Sequence, residues 1–359
     1  MTTAQAPDYA PEWHAWIAEN LIRGARPYDI QEQMVAEGLD RGTAQRAVAM
    51  ASDHPYLKGA LAAVAAGLPG TAAAAAAPQQ VAGGSNQAKK FKWFLEVIRR
   101  NQQLSAHYGE VPVVQKPSKE EFLEQFYSQN KPCIIKGALD DWPALELWQN
   151  GEYLKERNGD AIVEVQANRE SDSDYELNSQ KHKKEMNFGE FVDILERGDE
   201  TNDWYMTANN TGKNLEALRA LREDIRYPEY LTDDKDQGFF WYGPKGVVTP
   251  IHHDLTNNFM AQVRGRKLIK LVAPYESQYV YNNKHCFSPV DLFNIDYDRF
   301  PLMREANVID VEIGPGDLFF LPVGWWHAVK GLDISLTMTF TNFVFPNDFY
   351  SFYETTNEI

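Results

Sequence analysis

The sequence predicts a mainly β domain with flanking helices, its strands closing into an antiparallel barrel or sandwich, behind a small N-terminal helical domain. Three observations predict it. At 359 residues the chain is longer than one average domain. After Gly238 it becomes a succession of short apolar runs separated by turns rich in Gly and Pro. Trp, Phe and Tyr crowd the chain from Phe91 onward, whereas Gly59 to Ala88 is mostly Ala, Gly and Pro. A hydrophobic content of 43%, with 13% aromatics, is enough for a sizeable core and argues against global disorder.

Residues 1–67 read as short helices. Trp13, Trp16, Ile17, Leu21 and Ile22 recur at helical spacing, with Gly24 placed to end that helix. A second carries Ile30, Met34 and Val35 and stops at Gly38. Asp40 caps a third, which puts Ala44, Ala47, Val48 and Ala51 on one face. Pro55 opens a fourth, Ala-rich segment. Residues 68–88 have the low complexity of a linker. The main domain takes 89–359.

That domain starts with an amphipathic helix marked by Phe91, Phe94, Leu95 and Ile98. Ser118 to Tyr127 is a second helix, with Glu121 three residues after its Ser118 cap. Pro132 to Lys136 reads as a buried strand. The expected strands then follow at Phe239–Tyr242, Thr249–Asp254, Phe259–Val263, Lys267–Val272, Val308–Ile313, Leu318–Leu321 and Ser335–Phe345.

A formal net charge of −16 argues against general nucleic-acid binding, which needs an excess of Lys and Arg. It suits solubility or a basic partner. Two cysteines, Cys133 and Cys286, form no C-x-x-C pair and no disulfide framework, which points to a reducing compartment. No secretion signal opens the chain, and the run Ala60–Pro78 lacks the Leu, Ile and Phe of a membrane span beyond Leu61 and Leu68. The expectation is a cytoplasmic protein with no membrane partner.

His252, Asp254 and His327 carry the chemistry. Side chains alternate faces along a strand, so His252 and Asp254 aim into one cavity and His253 points the other way. A third ligand has to come from a distant strand. His327 follows the Gly314–Asp317 turn, the apolar run Leu318–Leu321 and a Trp pair. Two imidazoles and one carboxylate on one face of a metal leave positions open for cosubstrate and O2, as in non-haem Fe(II) oxygenases. Structural zinc would want four closed ligands. Trp325 and Trp326 read as wall and core, and His253, His285 and His182 as non-ligands.

Two stretches, Thr249–Lys267 (TPIHHDLTNNFMAQVRGRK) and Gly314–His327 (GPGDLFFLPVGWWH), together resemble a JmjC hydroxylase. The pattern is similar to the branch that contains the asparaginyl hydroxylase of hypoxia-inducible factor. Pro132–Gly137, Asp141–Ala144 and Trp148 are similar to the entry segment of those enzymes. The resemblance covers roughly Val111 to Phe345 and leaves out 1–88. It implies a double-stranded β-helix (cupin or jelly-roll) barrel, with iron held by His252, Asp254 and His327. It further implies Lys267 as the ion-pair partner of the distal 2-oxoglutarate carboxylate, with Thr249 and Tyr205 as hydroxyl donors to it. Asn258 and Asn342 match amides near the metal and cosubstrate.

The cofactor set so implied is Fe(II), 2-oxoglutarate and O2. The activity is that of a 2-oxoglutarate/Fe(II)-dependent dioxygenase hydroxylating a C–H bond, with a peptide or protein side chain as substrate. Small molecules, modified RNA bases and N-methyl groups are open to the same chemistry. One rival is a cupin that binds metal without turnover, and retention of Lys267 and Thr249 argues against it. The other is a metal-dependent isomerase or a dioxygenase without 2-oxoglutarate, whose added His or Glu ligand has no match in the sequence. The segments Glu170–Glu176 (ESDSDYE) and Thr232–Asp236 (TDDKD) could receive a basic substrate or serve as solvated loops. The N-terminal helices could recognise a partner or form a homodimer.

Overall fold

The computed structural model describes residues 12–22, 25–55, 57–58, 86–208, 212–233, 237–282 and 284–353. The chain divides into two compact units, Met1–Gly83 and Gly84–Ile359. The first contains helices α1 (Glu12–Ile22), α2 (Pro27–Ala36) and α3 (Arg41–Asp53). They close around Ile17, Leu21, Ile30, Met34, Ala44, Ala47 and Val48. Helix α2 ends as its sequence predicts. Gly38 takes φ +96°, and the Leu39 and Gly38 N–H groups donate to the carbonyls of Met34 and Val35. Asp40 accepts from the Thr43 N–H and caps α3. The expected stop at Gly24 and most of the Ala-rich fourth segment lie outside the described residues. So does the linker, except residues 86–88, which open the next helix.

The second unit runs α4 (Asn86–Gln103), β1 (Val113–Gln115), α5 (Lys119–Phe122), β2 (Cys133–Lys136), α6 (Ala144–Leu147), α7 (Gly151–Asn158), β3 (Ile162–Gln166), β4 (Lys183–Asn187), α8 (Phe188–Glu196) and α9 (Lys213–Ala217). The barrel strands follow: β5 (Phe239–Gly243), β6 (Val248–His253), β7 (Asn258–Arg264), β8 (Lys267–Val272), β9 (Ile309–Ile313), β10 (Leu318–Leu321), β11 (Trp326–Gly331) and β12 (Ser335–Phe340). Ser118 and Glu121 form the full capping box at α5. Its continuation, Leu123–Tyr127, winds as a π-helical turn.

Two sheets build the barrel. One is ordered β1-β2-β10-β7-β12-β5 and the other β6-β11-β8-β9. Met260 and Phe319 from the first meet Ile269, Leu271, Val311 and Val329 from the second in one apolar layer. A larger aromatic core, including Phe122, Phe259, Phe320 and Phe340, covers the outer face of the first sheet with the helices. The fold is thus the expected cupin-like one, mostly β with flanking helices.

Two strand expectations are corrected. The last strand ends at Phe340 rather than Phe345, because the chain beyond leaves β12 to bond the 230–232 segment, with Val344 N–H donating to Tyr230 and Thr232 N–H to Asn342. Trp326–Gly331 is a full strand that the sequence did not single out. In the sequence Trp326, which opens it, reads with Trp325 as wall and core.

Candidate active site

β6 and β11 bring the three candidate ligands together. His327 lies opposite His252 in the antiparallel register, their ring centroids 4.1 Å apart. Asp254 follows directly after β6, its Oδ1 3.8 Å from His252 Nε2. One donor atom from each of the three lies within 4.8 Å of the others. His253 points away, edge-on to Trp326 at 4.7 Å, as alternation requires.

Backbone carbonyls set the orientation of both rings. His252 Nδ1 bonds the Pro250 carbonyl at 2.8 Å, and His327 Nδ1 bonds the Trp325 carbonyl at 3.0 Å. Each ring so held presents its Nε2 lone pair to the shared space. Burial, with the His252 ring alongside, holds His327 below the usual imidazole range and favours its neutral form.

A break in the pleat explains how Thr249 joins them. Three residues separate it from His252, which in a regular strand would put it on the opposite face. Opposite these three steps of β6 stand only two of β11, because Thr249 pairs with Val329 while His252 pairs with His327. The extra residue is a β-bulge at Pro250 and Ile251, where a proline costs no ladder donor. Ile251 packs outward with Val272 and Trp326, and Thr249 returns to the inner face.

One cavity receives all of these groups. It is lined by His252, Asp254 and His327 together with Tyr205, Thr249, Asn258 and Lys267. Trp241, Met260, Val329 and Thr339 complete its wall. Sequence reading missed these four, although alternation from Asn258 would have found Met260. Asn258 Nδ2 donates to Asp254 Oδ2 at 3.3 Å. Its neighbour Asn257 is a buried brace instead, accepting from the Val323 N–H.

Asn342 stands apart from the cavity. Its Nδ2 donates to the Thr232 carbonyl at 2.9 Å, and it is not one of the lining residues. Trp325 and Trp326 are buried, bonded to Asn130 and Ser277, and belong to the wall and core. His182 bonds Ala167 and Asp172. Within the acidic segment, Glu170 accepts from Thr201 and Asn202, and Asp172 from Asn178. Asp172 therefore braces its own loop, and Glu170 ties that loop to residues 201–202. Residues 234–236 of the other acidic loop lie outside the described residues.

Lys267 is a buried cation with no carboxylate paired to it among the described residues. It is 1% exposed, and the hydrogen bond it makes is to the Tyr205 phenol, at 3.3 Å. Burial alone lowers its ammonium to about 7. The Thr249 side chain lines the same cavity beside that phenol. A buried lysine, a phenol and a hydroxyl thus share the cavity of the His-Asp-His cluster, a combination suited to an anion beside a metal.

Comparison with known proteins places this architecture. The family model for the cupin-like domain matches residues 118–349. The chain belongs to the cupin-like domain family, in its JmjC type. It is 34% identical over 246 residues to JmjC domain-containing protein D of Dictyostelium discoideum, covering 62% of this chain and 54% of that one. It is 31% identical over 240 residues to lysine-specific demethylase 8 of Xenopus tropicalis, covering 64% and 52%. It is also 27% identical over 241 residues to tRNA wybutosine-synthesizing protein 5 of Gallus gallus, covering 61% and 74%. The chain spans about half the length of the first two relatives. JmjC-type enzymes use Fe(II), 2-oxoglutarate and O2. The donor set here fits that group, with two imidazoles, one carboxylate and a buried lysine in the same cavity.

Proposed function

We propose that this chain is an Fe(II)- and 2-oxoglutarate-dependent dioxygenase that hydroxylates a C–H bond of a peptide or protein side chain. The observation that carries the reading is Lys267. A barrel that merely bound metal would have no use for a buried ammonium without a counter-charge, and burying one is costly.

His252, Asp254 and His327 would hold the iron, their Nδ1 contacts and the Asn258 amide fixing the donors in place. Iron with 2-oxoglutarate, when bound, supplies the oxidising chemistry, coupling release of succinate and CO2 to insertion of one oxygen atom into a C–H bond. Lys267, Tyr205 and Thr249 receive the distal carboxylate and so orient the cosubstrate. Trp241, Met260 and Val329 give the space beside it an apolar wall. The net charge of −16 favours a protein or basic peptide over an RNA base.

The test is turnover by the full chain with Fe(II), 2-oxoglutarate and a peptide library spanning basic and neutral sequences. Succinate release with a mass gain of one oxygen atom on a peptide is the expected result. Loss of a methyl group would make the chain a demethylase of the same chemistry. Metal-loaded protein that never forms succinate would make it a binding-only cupin.

A further inference from the structure

Behind the cavity lies a second buried cation that none of the site assignments uses. Arg169 is 0% exposed and follows Asn168, which takes φ +58° and turns the chain after β3. Its Nη2 donates to the Val248 carbonyl at 2.8 Å, and its Nη1 to Asn202 Oδ1 at 3.0 Å. A further Nη1 contact reaches the Asn202 carbonyl at 3.4 Å. Asn202 Oδ1 in turn accepts from the Val248 N–H at 2.8 Å. The Tyr175 hydroxyl donates to the same Val248 carbonyl at 3.1 Å. The peptide groups on both sides of Val248 are therefore pinned, and the next residue is Thr249.

The guanidinium also stacks. It sits 4.3 Å from the Tyr175 ring centroid and 5.2 Å from that of Tyr205. Glu176, at 3.7 Å, is the carboxylate nearest to balancing it. One side chain thus braces the two hydroxyl-bearing residues of the anion receptor, one through its ring and the other through its backbone. A planar fork with a flat stacking face does this, and a lysine ammonium cannot.

We infer that Arg169 is a positioning residue for the cosubstrate's distal carboxylate, holding Tyr205 and Thr249 at the geometry that Lys267 needs. This rests on the 2-oxoglutarate reading of the cavity. It acts without touching the metal ligands, so it bears on one end of the cosubstrate alone.

The experiment compares two keto acids. 2-Oxoglutarate and pyruvate both chelate a metal through a keto oxygen and a carboxylate, but pyruvate lacks the distal carboxylate. Their dissociation constants are measured on Mn(II)-loaded full chain, for wild type and Arg169→Lys, with thermal unfolding as the folding control. The expected result is a loss of about tenfold in 2-oxoglutarate affinity with pyruvate affinity unchanged. Equal losses for both acids would mean a merely structural role and overturn the inference, as would no loss for either. Should Arg169→Lys fail to fold, Tyr175→Phe removes one bond at the same carbonyl and must show the same selectivity in smaller measure. Wild type that binds pyruvate and 2-oxoglutarate equally weakly would bring down the proposed function itself, and this inference with it.

Discussion

Lys267 Nζ lies 3.3 Å from the phenol oxygen of Tyr205, and both side chains are buried with no carboxylate acting on the lysine among the described residues. The ammonium, ordinarily near 10.5, is lowered to about 7 by that burial. An arriving carboxylate reverses the penalty and restores the proton.

Cosubstrate binding should therefore take up a proton. On metal-loaded protein the uptake should approach about one per site near pH ~8.5 and fall toward zero near pH ~6, where Lys267 is already charged. Affinity should weaken by up to about tenfold per pH unit above ~7. Calorimetry in buffers of different ionisation heat reads the uptake directly, and its absence at the higher pH would contradict the role of Lys267. The same depressed value has a stability sign. Between about 7 and 10.5 the unfolded chain binds more protons than the folded pocket, so this group's contribution to stability improves as pH rises through that window.

The adjacent histidines should behave oppositely. His252→Ala should abolish tight Mn(II) binding. His253→Ala should keep it and lose about 1 kcal/mol of stability, since its ring packs against Trp326. Metal titration and urea unfolding of the two variants separate them. Equal loss of metal by both would refute the alternation that assigns the ligands.

Gly265, in the turn from β7 to β8, takes φ +64°, and a Cβ there would collide with the Ile334 carbonyl oxygen. Gly265→Ala should cost about 2 kcal/mol or more. Lys267 is two residues on, so 2-oxoglutarate affinity should fall with it. A thermal unfolding curve unchanged from wild type would show that the turn relaxes freely.

The two asparagines should also part company. Asn258→Ala removes the amide that orients Asp254 and should weaken metal affinity. Asn342→Ala, whose amide is engaged by Thr232, should leave 2-oxoglutarate affinity within about twofold. Parallel titrations of the two variants decide it, and a tenfold loss in Asn342→Ala would place its amide at the cosubstrate after all.

What the sequence could convey follows from which interactions are local. The pairing of His252 with Asp254, the Asp40 cap, the Gly38 stop and the Ser118 capping box depend on spacing alone, and all were readable. Thr249 was not readable from periodicity, because the bulge at Pro250 inverts the alternation on which such a reading depends. Its place came from resemblance. Strand β11 gives no clean alternation, since five of its six residues, Trp326, His327, Ala328, Val329 and Gly331, are buried. Arg169 left no signal at all. Its partners Asn202, Val248 and Tyr205 are 33 or more residues away in sequence, and a lone arginine in an acidic segment reads as solvated.

The central claim is one cavity that holds iron and 2-oxoglutarate together. Anaerobic titration of the protein with Fe(II) and 2-oxoglutarate should produce the weak visible charge-transfer band of a bidentate keto-acid chelate, and His252→Ala should lose it. No band in wild-type protein that is folded and metal-loaded would contradict the account.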